Sequence, residues 1–250
     1  MSARPVLMVT GAGRGIGAAV ARLAAARGHD LLLTWHSDAA AAGATAAACR
    51  TAGAAVELVR ADAGDPADTA RAFAALDSRF GRLDALVPNA GITGPSGDFL
   101  SSTDALWAEV FRVNLLGVAT ACREAARRMA RSRGGQGGGI CAISSRAAAF
   151  GAPFKFIHYA ASKAAVDAMV AGLSKELAAE GIRVNAVAPG MVDTAIHAAT
   201  GDPARVGRIV PQVPMRRMGT PEEIAEAVLW LLSDAASYVT GAVVPVGGGR

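Results

Sequence analysis

The stretch Val6-Leu7-Met8-Val9-Thr10-Gly11-Ala12-Gly13-Arg14-Gly15-Ile16-Gly17 decides how the rest of the chain is read. Four consecutive apolar residues suit a strand covered on both faces, and a helical pattern over Ile16–Arg27 follows. Glycines between them let the backbone turn tightly and let a pyrophosphate approach without striking a Cβ. The helix N-terminus then offers free N–H groups and a partial positive charge. Glycine-rich turns also serve helix–strand packing alone. Placement between a strand and a helix points to a dinucleotide.

Working outward, short β-like runs alternate with longer helical patterns. Strands are expected over Val6–Val9, Asp30–Trp35, Ala55–Arg60, Leu83–Pro88, Ile140–Ser144, Ile182–Ala188 and Ala242–Val246. Helices are expected over Ile16–Arg27, Ala39–Thr51, Pro66–Phe80, Asp104–Arg131, Phe156–Glu180 and Pro221–Leu232. Asp65 before Pro66, and Thr220-Pro221-Glu222-Glu223, carry helix-start chemistry. Alternating β and α predicts one α/β domain over residues 1–250, a doubly wound parallel sheet flanked by helices on both faces.

At 250 residues and 52% hydrophobic content, the chain is long enough for one well-buried domain. No run approaches the roughly 20 uninterrupted apolar residues of a membrane helix. Val6–Val9 is too short for the apolar region of a signal peptide, so a cytoplasmic protein without membrane partners is expected. Cys49, Cys122 and Cys141 lack metal-site spacing and read as buried thiols; no metal is expected. The net charge of +4 gathers partly in Arg123, Arg127, Arg128, Arg131 and Arg133. These suit a helix C-terminus better than a nucleic-acid patch, which would want aromatics beside them. The glycine run Gly134–Gly139 reads as a flexible surface loop.

The spacing T-G-x-x-x-G-x-G at Thr10–Gly17 resembles the short-chain dehydrogenase/reductase family, and the resemblance runs from Val6 to Gly248. It implies a Rossmann-like fold, with Gly11, Gly13, Arg14, Gly15, Ile16 and Gly17 at the cofactor phosphates. NAD enzymes usually place an acid at the end of the second strand. Here that strand ends Leu33-Thr34-Trp35-His36-Ser37, and no carboxylate comes before Asp38. Arg14 can pair with a 2′-phosphate, with His36 and Ser37 as further donors, so NADP(H) is expected rather than NAD(H). Asp62-Ala63 resembles the family's adenine-contacting pair, and Asn89-Ala90-Gly91 the motif that closes over the cofactor. Pro189-Gly190-Met191-Val192-Asp193-Thr194 resembles the nicotinamide cradle, implying roles for Pro189, Gly190, Val192 and Thr194.

Tyr159 and Lys163 stand four residues apart on a helical pattern and so share a face. A free tyrosine, with a pKa near 10, is a poor base at neutral pH. A neighbouring ammonium favours phenolate, so Tyr159 could give or take the proton of a carbonyl/alcohol pair. By resemblance both also touch the cofactor. The second serine of Ile143-Ser144-Ser145 matches the family's catalytic serine. The Ser145–Tyr159 interval is one residue longer than in many relatives, where the commoner spacing would land on Arg146; Arg146–His158 therefore reads as a lengthened loop. Asn114 resembles the asparagine that completes the tetrad, its amide holding a water that relays protons to Lys163.

Residues 191–215 read as a substrate lid, with Ile196, His197, Val206, Ile209, Val210, Val213 and Met215 among Arg205 and Arg208. Phe150, Phe154 and Phe156 are expected to form another wall. The resemblance implies a small-molecule carbonyl or alcohol substrate, a 3-oxoacyl thioester first, and a homotetramer or homodimer. The alternatives are an NAD-dependent sugar or alcohol dehydrogenase, and an NADP(H)-binding regulator without turnover.

Overall fold

A computed structural model describes residues 4–194 and 205–250. Seven strands form one parallel sheet in the order β3-β2-β1-β4-β5-β6-β7. They are β1 (Val6–Val9), β2 (Asp30–Trp35), β3 (Val56–Arg60), β4 (Ala85–Val87), β5 (Gly138–Ile143), β6 (Ile182–Pro189) and β7 (Val243–Val246). Continuous burial along β1, β4 and most of β5 and β6 explains why those strands are apolar on both faces.

Two apolar layers sandwich the sheet. On one face α1 (Gly15–Ala26), α2 (Ala39–Thr51) and α9 (Pro221–Leu232) pack on Leu7, Val9, Leu31 and Leu33. On the other, α3 (Pro66–Phe80), α5 (Val118–Met129) and α7 (Ile157–Leu177) cover Val6, Met8, Leu32 and Leu86. Alternate residues of β1 and β2 thus feed opposite cores, as a pleated strand requires. Asp38, Asp65 and Thr220 cap α2, α3 and α9, the last with a reciprocal bond to Glu223. The shorter helices are α4 (Asp104–Phe111), α6 (Ala147–Phe150) and α8 (Arg205–Ile209).

Chain order reverses between β1 and β4: β2 and β3 lie on one side, β5 to β7 on the other. Loops leaving the C-terminal ends of β1 and β4 therefore diverge and open a crevice.

Three expectations are corrected. Gly138 and Gly139 open β5, with Gly139 paired to Ala85 and Arg183. A Cβ on Gly135 would lie 2.3 Å from the Met129 carbonyl, so the glycine run is a tight passage, not a slack loop. The helix expected over Asp104–Arg131 is interrupted by a π-helical turn, Arg112–Gly117, and ends at Met129. By length and composition Asp104–Met129 could cross a membrane, but its apolar residues Val118, Ala121, Cys122, Ala125 and Met129 are buried against the sheet. Finally, the Arg146–His158 segment holds α6 and the start of α7, with left-handed backbone at Ala152 and Phe154.

Candidate active site

The crevice deepens into a cavity of about 730 Å³, a size typical of small-molecule sites. At one end Arg14 is the N-cap of α1, and no side chain caps the helix. No acid occupies its first turn, so its N–H groups and dipole face the cavity. Gly15, at φ 56°, adopts a left-handed conformation, and a Cβ there would come within 3.2 Å of Thr194 Cγ2 across the opening. A Cβ on Gly17 would lie 2.5 Å from both Asn89 Nδ2 and the Gly11 carbonyl.

Those short approaches exist because the glycine turn is latched to β4. Asn89 Nδ2 donates to the carbonyls of Thr10 (2.9 Å) and Gly11 (3.1 Å). Thr10 Oγ1 accepts from the N–H groups of Asn89 and Ala90, each at 3.0 Å. Thr34 Oγ1 accepts from Gly11 N at 3.3 Å. The turn is thus held rigid before any ligand arrives.

At the end of β2, Trp35, His36, Ser37 and Asp38 line the cavity. Asp38 Oδ1 accepts from Ala41 N at 2.9 Å, which commits that carboxylate to capping. Arg60 stacks over Trp35 and donates to the His36 carbonyl. Arg14 is exposed, with no carboxylate partner among the described residues. Asp62 Oδ1 accepts from Gly64 N (2.8 Å), and Oδ2 pairs with Arg112 Nη2 (2.9 Å). Burial works to raise the Asp62 carboxyl, but the Gly64 bond and the Arg112 guanidinium together hold it below the usual carboxylate range.

The other end of the cavity holds Ser145, Tyr159 and Lys163. Lys163 is buried; its Nζ donates to the Ile143 carbonyl at 2.7 Å and lies 5.9 Å from the Tyr159 ring centroid. Burial lowers the ammonium to about 8, against a smaller opposing pull from Asp167. Asp167, one turn farther along α7, is raised by burial and lowered by Ser144 and Lys163. Ser144 and Ser145 both line the cavity; Ser144 is buried, whereas Ser145 is half-buried, with its Oγ accepting from Ala147 N at 3.1 Å. The more accessible of the two serines is the second one.

Asn114 sits inside the π turn, fully buried behind Gly91. Its Nδ2 donates to the Ile92 carbonyl (2.8 Å) and Ser162 Oγ (3.0 Å), while Oδ1 accepts from Ile92 N (2.9 Å). Both amide hydrogens are thus committed to protein. A water at this residue would have to use Oδ1 or the main-chain carbonyl that a π turn displaces.

Of the residues singled out from sequence, Gly17 and Asn114 stand behind the lining. The others, Gly11, Gly13, Arg14, Gly15, Ile16, His36, Ser37, Asp62, Ala63, Asn89, Ala90, Gly91, Ser145, Tyr159, Lys163, Pro189, Gly190, Val192 and Thr194, all line it. Sequence reading missed the Ile143 carbonyl, Arg112 and Asp167. The spacing of Asp167, four after Lys163, was an available signal. Phe150 and Phe156 line the cavity, but Phe154 is 81% exposed and does not. Ile209 and Val213 pack on Met191, while Met215 is exposed; Ile196 and His197 lie outside the described residues. All three cysteines are buried, Cys122 and Cys141 pushed up to about 12 by burial. Among the described residues no group of three His, Cys, Asp or Glu could hold a metal.

A family model described as enoyl-(acyl carrier protein) reductase matches residues 11–250. The chain belongs to the short-chain dehydrogenase/reductase family. It is 41% identical to the uncharacterized oxidoreductase YgfF of Escherichia coli, covering 98% of this chain and 99% of that one. It is 40% identical to the cis-4-hydroxycyclohexanecarboxylate dehydrogenase of Sinomonas cyclohexanicum, covering 99% and 96%. Among solved structures it resembles a metagenomic blue fluorescent protein in complex with NADPH (33% identity, TM-score 0.90, covering 98% and 97%). It also resembles a Brucella melitensis 3-ketoacyl-(acyl-carrier-protein) reductase complexed with NADH (30% identity, TM-score 0.89, covering 98% of each). This short-chain oxidoreductase thus has relatives that bind either nicotinamide cofactor.

Proposed function

We propose that this oxidoreductase interconverts a carbonyl and an alcohol using NADP(H), with Tyr159 as the acid–base group. The observation that carries the reading is the buried Lys163 ammonium, fixed on the Ile143 carbonyl and set beside the Tyr159 ring within the cavity. A positive charge in a dry site favours phenolate, so the tyrosine can exchange a proton near neutral pH.

The uncapped start of α1, the rigid glycine turn and the cavity volume fit a dinucleotide. When bound, the nicotinamide cofactor supplies the hydride in reduction and takes it up in oxidation. Gly11–Ile16 would hold its pyrophosphate on free N–H groups, and Pro189–Thr194 its nicotinamide end. Arg14, His36 and Ser37 favour a 2′-phosphate, because the one acid beside them, Asp38, is committed to its helix. Ser145 Oγ would donate to the substrate oxygen. Tyr159 would pass its phenolic proton to that oxygen in reduction and recover it in oxidation. Lys163 would stabilise the phenolate left behind, and Asn114 would brace Gly91 and Ser162 beside it.

A 3-oxoacyl thioester is the first substrate class we assign, in keeping with the reductases among the relatives. A cyclic ketone is the second reading, favoured by the hydroxycyclohexanecarboxylate dehydrogenase at 40% identity. We assign a homotetramer or homodimer, which sedimentation would test. The function itself is tested by following NADPH and NADH oxidation against a carbonyl panel that includes an acetoacetyl thioester. NADPH consumption is expected. Equal use of NADH would remove the assignment to Arg14. Tight NADPH binding without turnover in either direction would favour a regulator.

A further inference from the structure

The charges lining the cavity divide by end. Its carboxylates, Asp38, Asp62 and Glu109, all belong to the adenosine half. Asp38 caps α2, and Asp62 and Glu109 both pair with Arg112. In the half that holds Ser145 and Tyr159, the described lining contains Arg146, Lys155 and Arg250, and no carboxylate side chain.

Arg146 directly follows Ser145. Its Nε donates to the Arg250 main-chain oxygen at 2.7 Å, which fixes the guanidinium in place. That guanidinium lies 4.8 Å from the Phe150 ring centroid, and Arg250 stacks on the same ring at 5.7 Å. The Nη groups of Arg146, the Arg250 guanidinium and Lys155 Nζ have no carboxylate side chain as partner among the described residues. Lys155 lines the same cavity, and its main-chain carbonyl accepts from Gly97 N at 3.0 Å. Ala147, Phe150, Phe156, Met191 and Ile209 add apolar lining to the same cavity.

We propose that the substrate is an anion: a compact apolar body that presents its carbonyl to Ser145 and Tyr159 and an anionic group to Arg146, Lys155 and Arg250. Both guanidinium groups lie over the one Phe150 ring, and a guanidinium matches a planar or tetrahedral oxyanion in charge and geometry. The group is a carboxylate on the substrate body or the phosphate of a pantetheine arm, which share this chemistry. This inference rests on the reductase reading and deepens it.

The test uses two matched pairs with NADPH: 4-oxocyclohexanecarboxylate against its methyl ester, and acetoacetyl-4′-phosphopantetheine against acetoacetyl-pantetheine. In one pair the anion should exceed its neutral partner in kcat/KM by about tenfold or more, as loss of charge-assisted bonds implies. The pair that responds identifies the source. Lys155→Gln and Arg146→Gln, assayed singly, should each reduce that preference severalfold. NADPH binding, followed by fluorescence, reports whether each variant is folded. Turnover of the neutral members without preference for either anion overturns the proposal and leaves the reductase reading standing. Turnover of none of the four removes both.

Discussion

Lys163 Nζ donates to the main-chain carbonyl of Ile143 at 2.7 Å, so the buried end of α7 is pinned to the last residue of β5. Ser145 follows Ile143 by two residues and Tyr159 precedes Lys163 by one helical turn. One bond therefore sets the serine-bearing strand end against the tyrosine-bearing helix face. The same burial that lowers the ammonium to about 8 makes its charge effective on a neighbouring phenol.

This burial has a cost in stability. Lys163 holds its proton to about 10.4 in the unfolded chain but only to about 8 in the fold. Between those values the unfolded chain binds one more proton, so stability rises with pH across the window. Below about pH 8 both forms are protonated and the penalty is fully present. The stability of Lys163→Met relative to the parent should fall by about 2 kcal/mol from pH ~7 to pH ~9.5. Urea unfolding of both proteins without cofactor measures it; a pH-independent difference would contradict the buried charge.

Asp167 supports that ammonium from the next turn. Replacing it with Asn should move the Lys163 titration to lower pH, because an attractive negative charge is lost. The Cε resonance of Lys163, followed by NMR against pH, reports the midpoint. An unmoved midpoint would show that the carboxylate is already neutral.

The glycine turn gives a paired steric test. A Cβ on Gly13 would meet Ala42 at 3.6 Å, an ordinary contact, whereas one on Gly17 would meet Asn89 Nδ2 and the Gly11 carbonyl at 2.5 Å. Gly17→Ala should destabilise by about 1–3 kcal/mol as the latch is forced apart. Gly13→Ala should unfold within about 0.5 kcal/mol of the parent. Thermal melts without cofactor distinguish the two.

Arg14→Ala should weaken NADPH at least about tenfold and NADH little, since only the former has a phosphate for the guanidinium. Equal losses, measured by fluorescence titration, would assign the 2′-phosphate elsewhere.

Much of the sheet was legible because parallel strands buried on both faces are written as apolar runs. β1 and β2, and the helices Ala39–Thr51, Pro66–Phe80 and Pro221–Leu232, occupy the residues expected. Where a different constraint ruled, the reading failed. Gly134–Gly139 looked slack, but Gly135, Gly137 and Gly138 are needed because Met129 and Gly181 approach where side chains would stand. The π turn at Asn114 was not legible, because Arg112–Gly117 contains no proline and reads as ordinary helix. At the site, Tyr159 and Lys163 were paired by their spacing and Ser145 was singled out by resemblance. The Ile143 carbonyl was not, because any residue supplies a main-chain oxygen. Arg146 and Arg250 stand 104 residues apart, so only the fold brings their cations together.

The most direct test of the central claim is Tyr159→Phe, which removes one hydroxyl and keeps the ring beside Lys163. NADPH affinity should stay within about threefold, while kcat for carbonyl reduction falls by about 10²–10⁴, the usual worth of a positioned general acid. An unchanged kcat would mean that the proton comes from elsewhere and that the assignment of Tyr159 is wrong.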